Sequence, residues 1–252
     1  MICFSEIESN RFGLKIYRGK YDSFEMADIR KLVETDDFDI IIVRYPTNTI
    51  YEHYRLSLLP ACQIIHADSL LYYKAKLQEI NIHSLRNPLF FEEVKDNTDE
   101  LGKVVHSIFI GYQNHYFSNP YLNREKIIEG YFEWANSYSK ISDGKVAWFA
   151  KDSISGDIKA FITCAYDMDE SLSDLILGGV LPQYAGEGIY TDLVRHCQSY
   201  FKGMGLRYMQ TSTQLQNYKV QKTWNKEGFA IDNTWETYHI VNLNHLNDLQ
   251  IR

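Results

Sequence analysis

Residues 172–180 read Leu-Ser-Asp-Leu-Ile-Leu-Gly-Gly-Val, and residues 189–201 place Ile189, Leu193, Val194, Cys197 and Phe201 at helical spacing. The first run has the length and composition of a strand, and the second puts its apolar side chains on one face of a helix. Between them stands Leu181-Pro182-Gln183-Tyr184-Ala185-Gly186-Glu187-Gly188. A strand that leads through a short loop into an amphipathic helix fits a sheet with helices on its faces. Gly186 and Gly188 allow the backbone to curl so that successive N–H groups face one concavity. The following helix adds roughly half a positive charge at its N-terminus. Such a loop takes a pyrophosphate without arginine. The same two glycines also suit a plain strand-to-helix turn.

The flanking sequence extends the pattern. Residues 89–94 predict a strand, and Asn97 with Glu100 has the form of a capping box. Leu101, Val104, Val105, Ile108, Phe109 and Tyr112 follow as one helical stripe. Ile127, Ile128, Tyr131, Trp134, Ala135 and Tyr138 mark a second helix. Residues 146–150 and 158–166 predict a hairpin around Ser155-Gly156-Asp157. Residues 208–213 predict a strand, Asn217 opens a helix that Gly228 closes, and residues 234–241 predict a last strand. The order β-α-α-β-β-β-α-β-α-β implies an α/β chain with a mixed sheet and helices on its faces. Ahead of it lies a smaller α/β pattern. It comprises a strand over 12–17 and a helix capped by Ser23 with Met26, Ile29, Leu32 and Val33 on one face. A continuous β-branched strand over 38–44 follows, then a short helix from Thr49 to Pro60, and a strand over 68–77. Pattern content falls before Pro88, which predicts two domains, 1–87 and 88–252.

Composition bounds the partners. The 252 residues carry 26 Lys+Arg against 33 Asp+Glu, a net charge of −7, which argues against broad binding to nucleic acid or anionic membrane. Cys3, Cys62, Cys164 and Cys197 form no metal-binding spacing, so no metal is expected. Cys164 and Cys197 read as small core residues. The acidic start does not resemble a signal peptide, and the longest apolar runs, such as Ile40-Ile41-Ile42-Val43, are too short to cross a bilayer. The expectation is a reduced, cytoplasmic protein.

Gln183-x-x-Gly186-x-Gly188 resembles the Q/R-x-x-G-x-G/A acetyl-CoA loop of the GNAT N-acetyltransferases. It follows a hydrophobic strand, as in that family. Further on come Asn217, a short helix and Glu227-Gly228-Phe229, also similar to the family pattern. The resemblance covers about three-fifths of the chain. It implies the GNAT fold and acetyl-CoA as acetyl donor, with CoA as product. It points to Gln183, Tyr184, Ala185, Gly186, Glu187, Gly188, Ile189 and Tyr190 around the cofactor, with Gly179, Val180, Asn217 and Trp224. Asn217 is equally a helix cap. Two positions depart from the family. Ala185 stands where Arg is frequent, which removes a charge near the pyrophosphate. Trp224 stands where many relatives carry a tyrosine acid, and an indole N–H does not ionise near neutral pH.

A narrower resemblance rests on Thr211-x-Thr213-Gln214-x-x-Asn217-x-x-Val220-Gln221-x-x-Trp224, on Trp235-x-Thr237-Tyr238-His239 and on Tyr131-x-x-Trp134-Ala135. These look like the branch that includes TDP-fucosamine acetyltransferases, which carries an extra N-terminal α/β domain. Asp39-x-Ile41-x-Val43-Arg44 and Ala67-Asp68-x-Leu70-x-Tyr72-Tyr73 resemble strands of that domain. The branch implies a small-molecule amine acceptor, a TDP- or UDP-amino sugar used in surface polysaccharide such as lipopolysaccharide. His115, Tyr116, Tyr131, Trp134, Gln214 and His239 are the candidate acceptor contacts. Chemistry would be direct attack of the amine on the thioester, with amides near Gly179 and Val180 as oxyanion donors. Candidate catalytic residues are His115, in a loop facing the acceptor or simply at the surface, Tyr218 and Trp224; Tyr238 is a further conceivable donor. No carboxylate lies within 175–180, where some GNAT enzymes hold a base. A homodimer, a different amine acceptor and a non-catalytic CoA-binding regulatory module complete the expectations.

Overall fold

The computed structural model describes residues 1–95, 98–139 and 143–246. Asn97, the cap expected for the first long helix, lies outside them. The chain forms two compact units. Unit 1 comprises Met1–Leu71, Gln113–Ile127 and Asn233–Arg252; unit 2 comprises Tyr72–Tyr112 and Ile128–Asp232. They interleave along the chain.

Unit 1 begins with β1 (Ile2–Phe4), α1 (Glu6–Phe12), β2 (Ile16–Lys20), α2 (Ala27–Thr35), β3 (Ile40–Pro46) and the first ten residues of β4 (Cys62–Lys76). The strand predicted over 12–17 starts later. Glu6 and Glu8 in the first turn favour helix over 6–12, and Gly13, left-handed at φ +68°, closes it. Ser23 does not cap α2; its hydroxyl bonds Glu25, and Met26 is the N-cap. Thr47–Leu58 winds as 3₁₀ turns rather than an α-helix, with Thr49 Oγ1 donating to the Pro46 carbonyl. β1 runs antiparallel to β2, and β2 parallel to β3. Along its other edge β3 pairs antiparallel with β10 (Ala230–Asn242), from Pro46 with Trp235 to Ile40 with Val241. That pairing is why the C-terminal segment belongs to unit 1. Ile29, Phe38, Ile41, Val43, Tyr45, Leu56 and Ile240 form its core.

Unit 2 contains β5 (Leu89–Glu93), α3 (Thr98–Phe109), most of α4 (Arg124–Asn136), β6 (Lys145–Asp152), β7 (Ile158–Asp167), β8 (Leu172–Val180), α5 (Ile189–Gly203), β9 (Tyr208–Gln214) and α6 (Tyr218–Lys226). β5 to β8 form an antiparallel meander, and β9 runs parallel to β8. The predicted stripe of α3 is buried at Leu101, Val104, Val105 and Phe109. Two features of β8 shape its end. Thr163 pairs with Leu177 and Cys164 with Leu175, so Ile176 is an extra residue that bends the strand. The paired register with β9 ends at Leu175 with Thr211, while β8 continues to Val180.

Candidate functional site

Within unit 2 the strand, loop and helix stand in the order the sequence predicts. Leu181 N–H still bonds the Lys159 carbonyl at 2.9 Å, and Pro182–Tyr184 make one 3₁₀ turn. Gly186 and Gly188 hold φ of +93° and +84°, a conformation that L side chains rarely adopt. Gly188 is the N-cap of α5, and no side chain caps the helix. Thr191 and Asp192 N–H bond the Gly188 carbonyl at 3.0 and 3.3 Å, so the helix opens on the Ile189 and Tyr190 amides, with its dipole behind them. Gln183, Ala185, Gly186 and Glu187 are exposed, Tyr184 and Tyr190 are partly buried, and Ile189 is buried.

The segment before β5 is tied to this helix. Asp192, fully buried in the first turn of α5, accepts from Arg86 N–H at 2.8 Å, Asn87 N–H at 3.1 Å and Asn87 Nδ2 at 2.8 Å. Asn87 Nδ2 also donates to the Glu187 carbonyl at 3.1 Å. Arg195 makes a two-pronged bond to Glu227, 2.9 Å on each arm, and reaches the Ser84 carbonyl at 2.7 Å. This anchoring lays the Arg86 side chain against Gly188, where an added Cβ would meet Arg86 Cδ at 3.2 Å. Arg86 thus brings a positive charge beside Gly188. No local pattern signals it, because the segments it joins are 100 residues apart.

Gly179 serves close packing. A Cβ there would sit 2.5 Å from Ile108 Cγ2, so α3 is seated directly on the end of β8. Tyr112 on one side donates to Gln214 Oε1 at 2.5 Å, and the Tyr131 ring stacks on Phe109 with centroids 4.4 Å apart. Trp134 is half exposed, outside this aromatic group. Trp224 is 2 % exposed and packs on Tyr73. Its indole N–H is turned toward Tyr190 without a well-formed hydrogen bond, and burial holds the Tyr190 hydroxyl well above the ordinary tyrosine range. Tyr218 is exposed at the start of α6. Asn217 does not cap that helix through its side chain; its Nδ2 donates to Thr213 Oγ1 at 2.9 Å. Cys164 and Cys197 are buried thiols 3.7 Å apart, as expected of core residues, and burial pushes Cys164 well above the usual thiol range.

Asp174 on β8 is a carboxylate the sequence pattern passes over. Burial raises it to about 6, opposed by a hydrogen bond from Gln210. It precedes Gly179 by five residues, on the order of 15 Å of extended chain. That spacing keeps it from transferring a proton directly at the Gly179 amide. A cavity of unit 2, about 510 Å³, is lined by residues including Lys74, Glu79, Ile80, His83 and Lys226 and holds none of the loop residues.

The remaining predicted residues belong to unit 1. His115 is not in an open loop. It opens a 3₁₀ turn, is buried, and its Nδ1 lies 2.9 Å from His239 Nε2. Tyr116 stacks close to it and donates its hydroxyl to the buried Glu8. The Asn119 carboxamide fixes the protons of the histidine pair. Its Oδ1 accepts from Tyr121 N–H at 3.0 Å, so its Nδ2 donates to His239 Nδ1 at 3.0 Å. His239 therefore carries its proton on Nε2 and donates to His115 Nδ1, which leaves His115 protonated on Nε2. Burial is the main cause that lowers both rings, His239 to about 3; Arg18 and Arg44 add to it, and for His115 so does His239. Both are neutral near pH 7, and His115 in this state offers a donor rather than a base. Deeper in β10, Glu236 accepts from His66, Ser69 and Thr47 and is held down to about 2 by those bonds against the opposing effect of burial.

Among the described residues no cluster of His, Cys, Asp or Glu is arranged to hold a metal ion, and no helix is long and apolar enough to cross a membrane.

No family model matches the chain. It is similar to the spore coat polysaccharide biosynthesis protein SpsD of Bacillus subtilis (strain 168), 22% identical over 213 residues, covering 82% of this chain and 68% of that protein. Among solved structures it superposes on the GCN5-related N-acetyltransferase from Kribbella flavida with a TM-score of 0.57 and 9% identity, over 90% of this chain and 81% of that one. The GCN5-related N-acetyltransferase from Sphaerobacter thermophilus gives a TM-score of 0.55 and 11% identity, over 80% of this chain and 60% of that one. The fold is therefore the GNAT acetyltransferase fold.

Proposed function

We propose that the protein is an N-acetyltransferase that moves an acetyl group from acetyl-CoA to the primary amine of a nucleotide-linked amino sugar, in the synthesis of a surface polysaccharide. One observation carries the reading: a loop bent by two glycines at positive φ opens an uncapped helix at the end of a bulged strand, within this fold. The loop amides and the helix dipole suit the diphosphate of CoA, with the Arg86 guanidinium beside them. The amides near Gly179 and Val180 are the donors for the developing oxyanion. The likeness to a polysaccharide biosynthesis protein supports a sugar acceptor.

The amine nitrogen bonds the thioester carbonyl carbon as the carbon–sulfur bond breaks. The nitrogen gives up one proton and the thiolate takes one, so the exchange balances. A thiol of pKa ~8.5 leaves readily and asks little of an acid. Tyr218 is the candidate donor; buried Trp224 has a structural part. His115, buried and neutral, does not remove the proton.

The test is release of free thiol from acetyl-CoA in the presence of a panel of TDP- and UDP-amino sugars. Release that depends on one of these sugars is the expected result. Release with simple amines alone means a different acceptor, and acetyl-CoA binding without release on any amine means a regulatory module. Gly186→Val must strain the loop, although its Cβ meets open space. Acetyl-CoA binding should fall at least ~100-fold with thermal unfolding nearly unchanged. Undiminished binding would show that the loop is not the cofactor seat.

A further inference from the structure

Three cations gather on one sheet face of unit 1 in a chain whose net charge is −7. Parallel pairing sets Arg18 opposite Ile42 and Lys20 opposite Arg44, so alternation sends Arg18, Lys20 and Arg44 to the same side. They line a cavity of about 190 Å³ with Met1, Gly19 and Ile42, and no carboxylate lines it among the described residues. Two acids act on them from outside. Buried Glu8 lies 3.3 Å from Arg18, and Asp22 is felt by Lys20. Arg44 is oriented by its Nε bond to Thr237 Oγ1 at 3.2 Å, and Lys20 Nζ stands 4.0 Å over the Trp235 ring. Lys20 and Arg44 repel each other, and Lys20 is lowered first by burial and then by Arg44. Like charges held together in this way are relieved by an anion.

We propose that this cavity binds a nucleoside diphosphate through its phosphates, with Arg18, Lys20 and Arg44 as its charge and the Trp235 ring as adjoining aromatic surface. The assignment concerns unit 1 alone and stands apart from the acetyltransferase reading above. Guanidinium groups suit bidentate phosphate contacts, and the lysine adds a point charge.

Calorimetric titration of the full chain with TDP, UDP, inorganic pyrophosphate and uncharged thymidine tests it. The nucleoside diphosphates should bind at least tenfold tighter than pyrophosphate, and thymidine should not bind measurably. Arg44→Gln should weaken the nucleotides at least tenfold. Lys20→Gln should weaken them about fivefold without altering thermal unfolding. Pyrophosphate binding as tightly as the nucleotides overturns the nucleoside diphosphate assignment, and unchanged affinity in both variants overturns the site. Acetyl-CoA is titrated in parallel on wild type and Gly186→Val. A protein that binds nucleotide but not acetyl-CoA loses the acetyltransferase reading, and the anion site survives. One that takes acetyl-CoA at the loop and no nucleotide loses this site alone.

Discussion

The two units make their candidate anion sites by opposite means. Unit 2 uses eight consecutive residues, 181–188, whose main-chain amides need only the right φ values. Unit 1 uses side chains from two neighbouring strands, aligned by pairing. A main-chain cradle tolerates almost any side chain except where glycine is required. A side-chain cluster fails with one substitution but tolerates backbone drift. The same contrast holds for what surrounds them. The loop region is open and polar, whereas unit 1 buries the His115–His239 pair, whose protons a single asparagine orients.

Three measurements probe this contrast. The largest effect concerns whether unit 2 is as independent of side chains as its loop suggests. Arg195→Leu strands Glu227 in the interior and should cost about 3–5 kcal/mol in urea unfolding, with the Arg195→Leu, Glu227→Leu pair recovering most of it. A loss below ~1 kcal/mol would mean that the anchoring of residues 84–87 does not depend on this bond. The second effect is the pH dependence of unit 1. His239 titrates at about 3 when folded against 6.5 when free, so below pH 6.5 the unfolded chain takes up a proton that the folded chain refuses. Stability present at pH 7 is lost as pH falls from 6.5 toward 3, by about 2–3 kcal/mol at pH 4.5. His115, lowered first by burial, adds to the loss; His66, raised by its bond to Glu236, opposes it. His239→Gln should flatten the decline between pH 7.5 and 4.5, and a variant that tracks the wild type would refute the assignment. The smallest effect is at the loop. Arg86→Gln should weaken CoA about fivefold, ~1 kcal/mol, because the contact is exposed and screened. Pantetheine, which lacks the diphosphate, should bind unchanged; equal weakening of both would place Arg86 elsewhere in recognition.

What could be foreseen divides along the same line. The bounds of β8 at 172–180 and the opening of α5 at Ile189 were legible because strand, glycine turn and apolar helix face are local signals. The stripe on α3 was legible for the same reason. β1, three residues long, and α1, seven, carry too little periodicity to register. The placement of β10 beside β3 was not legible either, since alternation shows that a strand exists and not which neighbour it takes. Arg86 beside Gly188 and His115 beside His239 were hidden more deeply. Each depends on contacts across a hundred residues or more, and His115 in particular reads as a loop residue until Asn119 and His239 are seen around it.

The insertion of β10 has a consequence for synthesis. β3 leaves the ribosome early, with one flank satisfied by β2 and the other bare until residues 233–242 emerge. That flank is the run Ile40, Ile41, Ile42, Val43, a β-branched surface suited to pairing with the wrong chain. β9, by contrast, is complete at Gln214, 28 residues before β10 ends at Asn242. Translation therefore makes β3 long before its partner, and the isoleucine ribbon must be kept from other chains until β10 closes over it.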